Sequence, residues 1–262
     1  MITRRQTLIT AAAALTTACE TTRPGRGEQA NILSADTLQS GDLIFPRRPG
    51  ATVIYKSAAG IAGLSGERRA WEADKAKILA EGKVGDFTLT PSDQSRLRAL
   101  SYESFLRDYS GPATADVFTD TMTTLRMTTG HVAIVVREGQ EINVVEAVSA
   151  GVICQPYETF AKVHHADMLW HARLKGRTEQ ERSSFARLAA TQTGKDYDIM
   201  SFDLLDDRTF YCSKLVWWSA WRSLGTALDE NPDPIRRFLT WFSPKKLLNL
   251  RSVEKIVSPG RY

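Results

Sequence analysis

The stretch of sequence that decides the fold is Gly130–Val148, which reads GHVAIVVREGQEINVVEAV. Both halves are rich in β-branched residues, which favour strands, and a glycine between them suits the positive φ of a tight turn. The stretch therefore predicts a β-hairpin with Glu138 and Gly139 as its two turn residues. In that register His131 lies directly opposite Glu146, and directly opposed side chains share one face with Cβ atoms ~4.5–5.5 Å apart. A carboxylate at this distance orients an imidazole and stabilises its charged form.

A cysteine at the start of a predicted helix is the second feature with chemical consequences. Cys212 is followed by an apolar run between Leu215 and Leu224 with helical spacing. The N-terminus of a helix stabilises a thiolate and lowers the thiol pKa, and a nearby histidine completes an activated nucleophile. We therefore assign Cys212 as nucleophile, His131 as general acid and base, and Glu146 as the orienting group. Taken one at a time, the same residues also fit a small core cysteine and a hydrogen-bonded surface histidine.

Periodicity along the rest of the chain predicts an α+β fold, in which helices are segregated around an antiparallel sheet. Strands are expected at Leu43–Phe45, His131–Val136, Glu141–Val148 and Met168–Leu174. Helices are expected at Glu67–Glu81, at about 92–109, from the capping box Thr178–Glu181 to about Thr193, and after Cys212. Residues 47–65 are mixed in character and contain glycine, so they are expected to form a loop.

Composition limits what the chain can be. Its 262 residues, 42% hydrophobic and 24% charged, are typical of a globular protein with a sizeable core. The net charge of +4 is spread evenly, without a basic run or a nucleic-acid motif, so nucleic acid is not an expected partner. The chain has three cysteines and contains neither an HExxH nor a CxxC motif. We therefore expect no disulfide framework, no metal site and no cofactor.

The N-terminal residues 1–19 are predicted to be an export signal. Arg4–Arg5 precede a short apolar run that cannot span a bilayer, which needs ~20 residues, and the arrangement resembles a twin-arginine signal. The segment Leu15–Cys19 resembles a lipobox, in which Cys19 is lipidated and becomes the mature N-terminus. A plain secretory signal is the alternative. Residues 20–32 are polar and rich in Gly, Pro and Arg, so they are expected to form a flexible tether.

Five short motifs occur together in a characteristic order. They are SGDLIF at Ser40–Phe45, GHVAIV at Gly130–Val135, VEA at Val145–Ala147, GKDYD at Gly194–Asp198 and YCSKLV at Tyr211–Val216. The set resembles the circularly permuted papain-like amidases, the YiiX-like branch of the NlpC-type superfamily. In that family the histidine and acid strands precede the cysteine helix. The resemblance covers roughly residues 36–225 and implies that the catalytic Cys, His and Glu are Cys212, His131 and Glu146.

The resemblance implies a permuted papain-like domain over 33–262 and a cysteine hydrolase that cleaves amide bonds. Residues from about 50 to 129 exceed the family's usual connection and are interpreted as a helical insertion. The family commonly has an acidic residue where this chain has Lys214. With the export signal, the resemblance predicts a periplasm-facing envelope protein anchored through Cys19 and acting on peptidoglycan-type peptides. A lipid-directed acyltransferase or thioesterase and a non-catalytic envelope scaffold are the alternatives.

The remaining candidate residues carry weaker signals. Tyr211 adjoins the predicted nucleophile, and its hydroxyl is a possible oxyanion donor. Cys154 follows a strand-like run and is expected to be a buried structural thiol. His164–His165 is expected at the surface, and His171 is expected to be packed or hydrogen-bonded. The tryptophans at 217–221 are expected to lie in the core, since they crowd one helix.

Overall fold

The computed structural model describes residues 31–48, 52–84, 87–102, 104, 124–128, 130–198, 201, 203–229 and 242–262. The predicted export signal, its lipidation site Cys19 and the tether up to residue 30 lie outside the described residues. Asn31, at the end of the predicted tether, is docked on the fold by two hydrogen bonds to the backbone of Leu169, at 2.9 and 2.7 Å. Within the described ranges, no helix is both long and apolar enough to cross a membrane.

The elements of the described chain confirm a mixture of helices and antiparallel strands. The strands are β1 (Leu43–Arg47), β2 (Thr52–Lys56), β3 (Lys83–Val84), β4 (Phe87–Thr88), β5 (Thr124–Thr128), β6 (Ala133–Glu138), β7 (Glu141–Val148), β8 (Gly151–Pro156), β9 (Met168–Leu174), β10 (Asp196–Tyr197), β11 (Thr209–Phe210) and β12 (Val253–Val257). The helices are α1 (Ser57–Glu81), α2 (Pro91–Ala99), α3 (Tyr157–Val163), α4 (Glu179–Ala190), α5 (Cys212–Leu224) and α6 (Pro244–Leu248).

A six-stranded antiparallel sheet forms the centre of the fold, in the order β12-β9-β1-β6-β7-β8. Its two faces bury different cores, because alternate side chains of a strand point to opposite faces. Ile134 of β6 packs with Phe185 of α4 and Trp217 of α5 on one face. Val135 packs with Phe160 of α3 on the other. Burial of each of these side chains stabilises the fold by ~1.5–3 kcal/mol.

The hairpin between β6 and β7 turns one residue later than predicted. Its turn residues are Gly139–Gln140, and Gly139 has a φ of 63°. A positive φ at the first of two turn positions is what the favoured hairpin turns require, and the prediction had placed the glycine second. The prediction that His131 lies directly opposite Glu146 is therefore wrong. Continued outward, the observed register puts Ala133 there, and His131 lies just before the strand.

The shift of the hairpin register leaves the face of Glu146 unchanged. Its expected partner moves by two residues, from 131 to 133, and side-chain direction in a strand repeats every two residues. A shift of one residue would have turned Glu146 to the opposite face. The side chains of His131 and Glu146 therefore meet in the structure although the two residues are not directly opposed.

The predicted insertion is closed at its base by strands that the sequence reading missed. Within the predicted 47–65 loop, residues 52–65 are not a loop, because β2 pairs with β5 along its whole length and α1 begins ten residues earlier than the predicted Glu67. Glycines suggested a loop, but strand pairing and helix continuation override that local preference. From the described side chains of α1, Trp71 and Ile78 join the same core as α5.

The first helix within the span predicted at about 92–109 ends before Leu100, and Tyr102 and Ser104 beyond it are helical again. The first helix spans Pro91–Ala99 behind a capping box made by Thr90 and Asp93. The chain turns extended at Leu100, which allows Leu100 and Tyr102 to enter the core. Most of the remaining predicted span, 103 and 105–109, lies outside the described residues.

The SGDLIF motif at the start of the fold has a structural explanation. Asp42 is fully buried and accepts hydrogen bonds from Nε2 of His171 at 2.7 Å and from Nε of Arg173 at 2.6 Å. Burial opposes ionisation, but the hydrogen bonds from Arg173 and His171 outweigh it and lower the pKa of Asp42. Asp42 thus ties β1 to β9, and the prediction that His171 is packed or hydrogen-bonded is confirmed, since it is both.

Candidate active site

The predicted nucleophile, Cys212, lies at the N-terminus of a helix that has no side-chain cap. The parallel pair β10–β11, which contains Asp196 and Tyr197 of the GKDYD motif, leads directly into Tyr211, and α5 begins at Cys212. Tyr211 is the N-cap residue, is extended, and makes no side-chain capping bond. First-turn amides of a helix have no partner within the helix, and the helix dipole adds positive potential there. Cys212 is 9% exposed, so this potential acts in a largely dry environment.

The structure brings His131 into contact with both other predicted residues. Its Nε2 lies 2.5 Å from Oε2 of Glu146, and its side chain also hydrogen-bonds the thiol of Cys212. With Nε2 engaged by the carboxylate, Nδ1 is the ring nitrogen left for the sulfur. The imidazole thus links an acid to a thiol, which is the arrangement that activates a cysteine nucleophile.

The charges of the three side chains are set by each other more than by burial. For Cys212, burial opposes the thiolate, but the hydrogen bond and charge of His131 outweigh it and lower the thiol pKa. The backbone N–H groups of Val132 and Ser213 favour the thiolate further. For His131, burial opposes the imidazolium, yet Cys212 and Glu146 raise its pKa to about 10. These directions favour a thiolate–imidazolium pair at neutral pH.

Glu146 has a second partner that the sequence reading missed. Gln155 of β8 donates from Nε2 to Oε1 of Glu146 at 2.5 Å, so both carboxylate oxygens are engaged. The carboxyl is 3% exposed, and its pKa is lowered because hydrogen bonding and charge from His131 outweigh the effect of burial. Glu146 pairs with Ile153, and Gln155 lies two residues further along on the same face. The same period-two argument would have found Gln155 had β8 been predicted.

The residues on either side of Cys212 are both tied to the backbone of Phe242. The Tyr211 hydroxyl accepts a hydrogen bond from the N–H of Phe242 at 3.1 Å, and Oγ of Ser213 donates to its carbonyl. These two bonds hold the first turn of α5 against the segment before α6. The Tyr211 hydroxyl is thus engaged with Phe242, and its role as an oxyanion donor stays a prediction.

A second histidine lies beside the first, contrary to expectation. His164 is half-buried and stacks on His131 with ring centroids 6.0 Å apart and planes 17° apart. Its Nδ1 lies 2.7 Å from Oδ2 of Asp167, and Asp167 also accepts a hydrogen bond from Nε of Arg48. His164 was expected at the surface because α3 was not predicted. Helix α3 ends at Val163 and directs the next side chain toward the site, whereas His165 is exposed as expected.

Lys214, where the resemblance implies an acid, is fully buried in the first turn of α5. Its Nζ donates to Oγ of Ser201 at 2.6 Å. Burial lowers its pKa to about 8, although the carboxylates of Asp206 and Asp203 favour the charged form. In this chain the cation, Lys214, therefore lies on α5, and the carboxylates Asp203 and Asp206 lie in the segment before that helix.

Two further expectations meet opposite outcomes. Cys154 is exposed, so the prediction of a buried structural thiol is wrong. It lies on β8, the edge strand of the sheet, where the outer residues are not covered. The expectation of core tryptophans is confirmed for Trp217 and Trp218, which are buried. Over the described ranges, no three His, Cys, Asp or Glu side chains are grouped so that they could hold a metal ion.

Comparison with known proteins finds a family model that matches part of this chain. Residues 112–230 match the model of a family described as "Permuted papain-like amidase enzyme, YaeF/YiiX, C92 family". The match confirms the predicted fold class and a cysteine hydrolase. Cys212, His131 and Glu146 lie within the matched range, and their assignment as the catalytic residues stays a prediction. One similar solved structure is that of metalloprotein YiiX from Escherichia coli O157:H7, at 22% identity and a TM-score of 0.41, covering 49% of this chain and 82% of that one. No curated protein sequence matches.

Proposed function

We propose that this permuted papain-like cysteine hydrolase is an envelope amidase that cleaves peptide-type amide bonds through Cys212, His131 and Glu146. The observation that carries the proposal is the placement of His131 between a buried carboxylate and a thiol at an uncapped helix start. A thiolate formed there is both nucleophilic at neutral pH and aligned with its proton donor.

The first half of the reaction makes a thioester. The Cys212 thiolate attacks the amide carbonyl carbon, and the carbonyl oxygen takes up the negative charge of the tetrahedral intermediate. The positive end of α5 stabilises that oxyanion, with the Tyr211 hydroxyl as a further candidate donor. The carbon–nitrogen bond then breaks, and the amine leaves with the proton that His131 held.

The second half of the reaction regenerates the thiolate. His131, now neutral, removes a proton from water, and the resulting hydroxide attacks the thioester carbon. The carbon–sulfur bond breaks, the acid product leaves, and the imidazolium again faces a thiolate. Glu146 keeps the imidazole oriented through both halves, and Gln155 holds Glu146.

The surroundings of the site support a peptide over a lipid substrate. The half-buried His164 lies beside His131, with Asp167 and Arg48 behind it, and the half-buried Gln155 contacts Glu146. These groups suit the amides and charged ends of a peptide, whereas an acyl chain would need an apolar groove. The N-terminal motif that ends at Cys19 supports an anchored position in the envelope facing the periplasm, where peptidoglycan stem peptides are the natural amide substrates.

A substrate screen with two cysteine variants tests the proposal. The purified full-length protein, kept in detergent, is incubated with muropeptides and with synthetic acyl esters, and products are read by mass spectrometry. We expect amide cleavage by the wild type and by Cys154→Ala, in which the exposed cysteine is removed, and none by Cys212→Ser. Hydrolysis of acyl esters alone would instead support the lipid-directed alternative. A Cys212 thiol that titrates normally in a protein inactive on both classes would support a scaffold.

A further inference from the structure

The chain segment after β12 places a tyrosine ring against the backbone of His131. Tyr262 is 8% exposed, and its hydroxyl donates a hydrogen bond to the carbonyl oxygen of His131 at 3.1 Å. Burial and the nearby charge of Cys212 both raise the pKa of the Tyr262 hydroxyl, so it remains a hydrogen-bond donor at neutral pH. The bond connects residues 131 positions apart in the sequence.

The position of Tyr262 is set by packing on several sides. Its ring meets Trp170 edge-on at 4.9 Å between centroids and Phe45 at 5.9 Å. Nε1 of Trp170 donates to the carbonyl of Gly260 at 3.1 Å, and the guanidinium of Arg47 lies 5.7 Å from the Tyr262 ring centre. Each aromatic pair of this kind adds ~0.5–1.5 kcal/mol beyond its buried area, so the ring is held against its neighbours rather than resting on the surface.

The residue before His131 leaves the space that the tyrosine needs. A Cβ atom at Gly130 would overlap the hydroxyl oxygen and ring of Tyr262. Gly130 does not have the left-handed backbone that usually explains a glycine. The close approach of the Tyr262 ring is therefore the physical reason for a glycine in front of the histidine of the GHVAIV motif.

We propose that Tyr262 is a positioning residue that acts on His131 through its backbone, and this inference rests on the proposed function. His131 lies before β6, outside the strand ladder, and its main chain is held by two bonds: its N–H donates to the carbonyl of Pro46 at 3.3 Å, and its carbonyl accepts from Tyr262. Loss of the second bond leaves a carbonyl without its partner and lets the imidazole move relative to the thiol. A misplacement of ~1 Å can lower a rate by ~100-fold.

The test compares two buried tyrosines that each donate to a backbone carbonyl. Tyr262→Phe removes the hydroxyl at the site, and Tyr157→Phe removes the one that donates to Leu33 at 2.7 Å on the other core. We expect Tyr262→Phe to lower kcat about 10-fold or more with little change in KM, and to move alkylation of Cys212 by iodoacetamide to higher pH. Tyr157→Phe should change neither, although it lowers stability by a comparable amount.

The alkylation readout separates this inference from the proposed function. If the wild-type Cys212 thiol titrates like a free thiol, the proposed function fails and takes the inference with it. If the wild type reacts at low pH and Tyr262→Phe behaves the same in both assays, only the positioning role is overturned. Gly130→Ala supplies a second variant that pushes the ring away, and circular dichroism establishes that each variant is folded. The alkylation profile of Cys212 in Gly130→Ala should move in the same direction as in Tyr262→Phe.

Discussion

At the scale of single residues, burial raises the pKa of the Cys212 thiol, and the hydrogen bond and charge of His131 lower it. The effect of His131 is the larger one, so the thiol pKa is lowered. We therefore predict that Cys212 reacts with iodoacetamide well below about pH 8.5, where a free thiol ionises. Since Cys154 is exposed and will also be alkylated, the measurement belongs in a Cys154→Ala background. His131→Ala should move the Cys212 profile to higher pH, and Glu146→Gln should do so more weakly. A pH profile of Cys212 alkylation that is the same in the wild type and in His131→Ala would falsify the thiolate–imidazolium pair.

The raised pKa of His131 predicts the alkaline limit of activity. An imidazolium whose pKa is raised keeps its proton until the pH passes the raised value, so the proton donor persists to about pH 10. The acid limit lies lower than for a free thiol, because the thiol pKa is lowered. We expect a bell-shaped dependence of kcat/KM on pH with these two limits, measured with the substrate from the screen. An alkaline limit near 6.5, the ordinary histidine value, would contradict the pairing.

Gln155 offers a test of the carboxylate's second bond. Gln155→Ala leaves Oε1 of Glu146 without its donor, and a hydrogen bond to a charged group is worth ~1.5–3 kcal/mol. We expect kcat/KM to fall ~10-fold to ~100-fold. Gln140→Ala, in the exposed hairpin turn, is the matched control and should leave it unchanged. Equal kinetics for the two variants would remove Gln155 from the site.

At the scale of secondary-structure elements, the first turn of α5 contains a buried lysine as well as the nucleophile. Lys214→Met removes the cation that faces Asp203 and Asp206, and breaking a buried charge arrangement costs ~3–5 kcal/mol. We expect a loss of this size in the free energy of unfolding, measured with urea. Lys255→Met, at an exposed position, should change stability by less than about 0.5 kcal/mol.

The lowered pKa of Lys214 also predicts the direction in which the free energy of unfolding changes with pH. Its pKa is lowered from 10.5 to about 8 in the folded state, so the unfolded chain binds more protons between these values. The Lys214 contribution therefore makes stability rise as pH rises from about 8 to about 10.5. Unfolding free energies of the wild type and Lys214→Met should diverge across this window. Parallel pH dependences would show that the lysine is not perturbed.

The β6–β7 hairpin shows which error in strand register leaves a predicted site residue on the correct face of the sheet. The turn was predicted one residue early, which moved the partner of Glu146 by two positions along β6. Because the side-chain period of a strand is two, the carboxylate stayed on the face from which it meets His131. The contact itself, however, depends on where the chain enters β6, and there the main chain of His131 is bonded to Pro46 and to Tyr262.

At the scale of the whole molecule, anchoring through Cys19 stays a prediction and has a direct test. Cells fed an alkyne-labelled fatty acid should incorporate the label into the wild-type protein, because a lipobox cysteine is acylated after export. Cys19→Ala should abolish labelling, while Cys154→Ala should retain it. Wild-type protein that is exported but remains unlabelled and soluble would favour the plain secretory signal.

The sequence by itself determined the features that depend on neighbouring residues. The strand alternation of 130–148, the capping box at Thr178 and Glu181 and the helix that starts at Cys212 all arise from patterns within a few positions. Such patterns encode backbone preference and the direction of each side chain. Combined with the order of motifs, they were sufficient to predict the fold class and to select Cys212, His131 and Glu146.

Only the tertiary structure decided which distant side chains join these three. Gln155, His164 and Tyr262 reach His131 or Glu146 from β8, from the end of α3 and from the segment after β12. Their positions depend on strand register and on how rings pack, which are set by contacts between residues far apart in the chain. A local pattern holds no information about such contacts, so the further side chains that support His131 and Glu146 became visible only in the folded molecule.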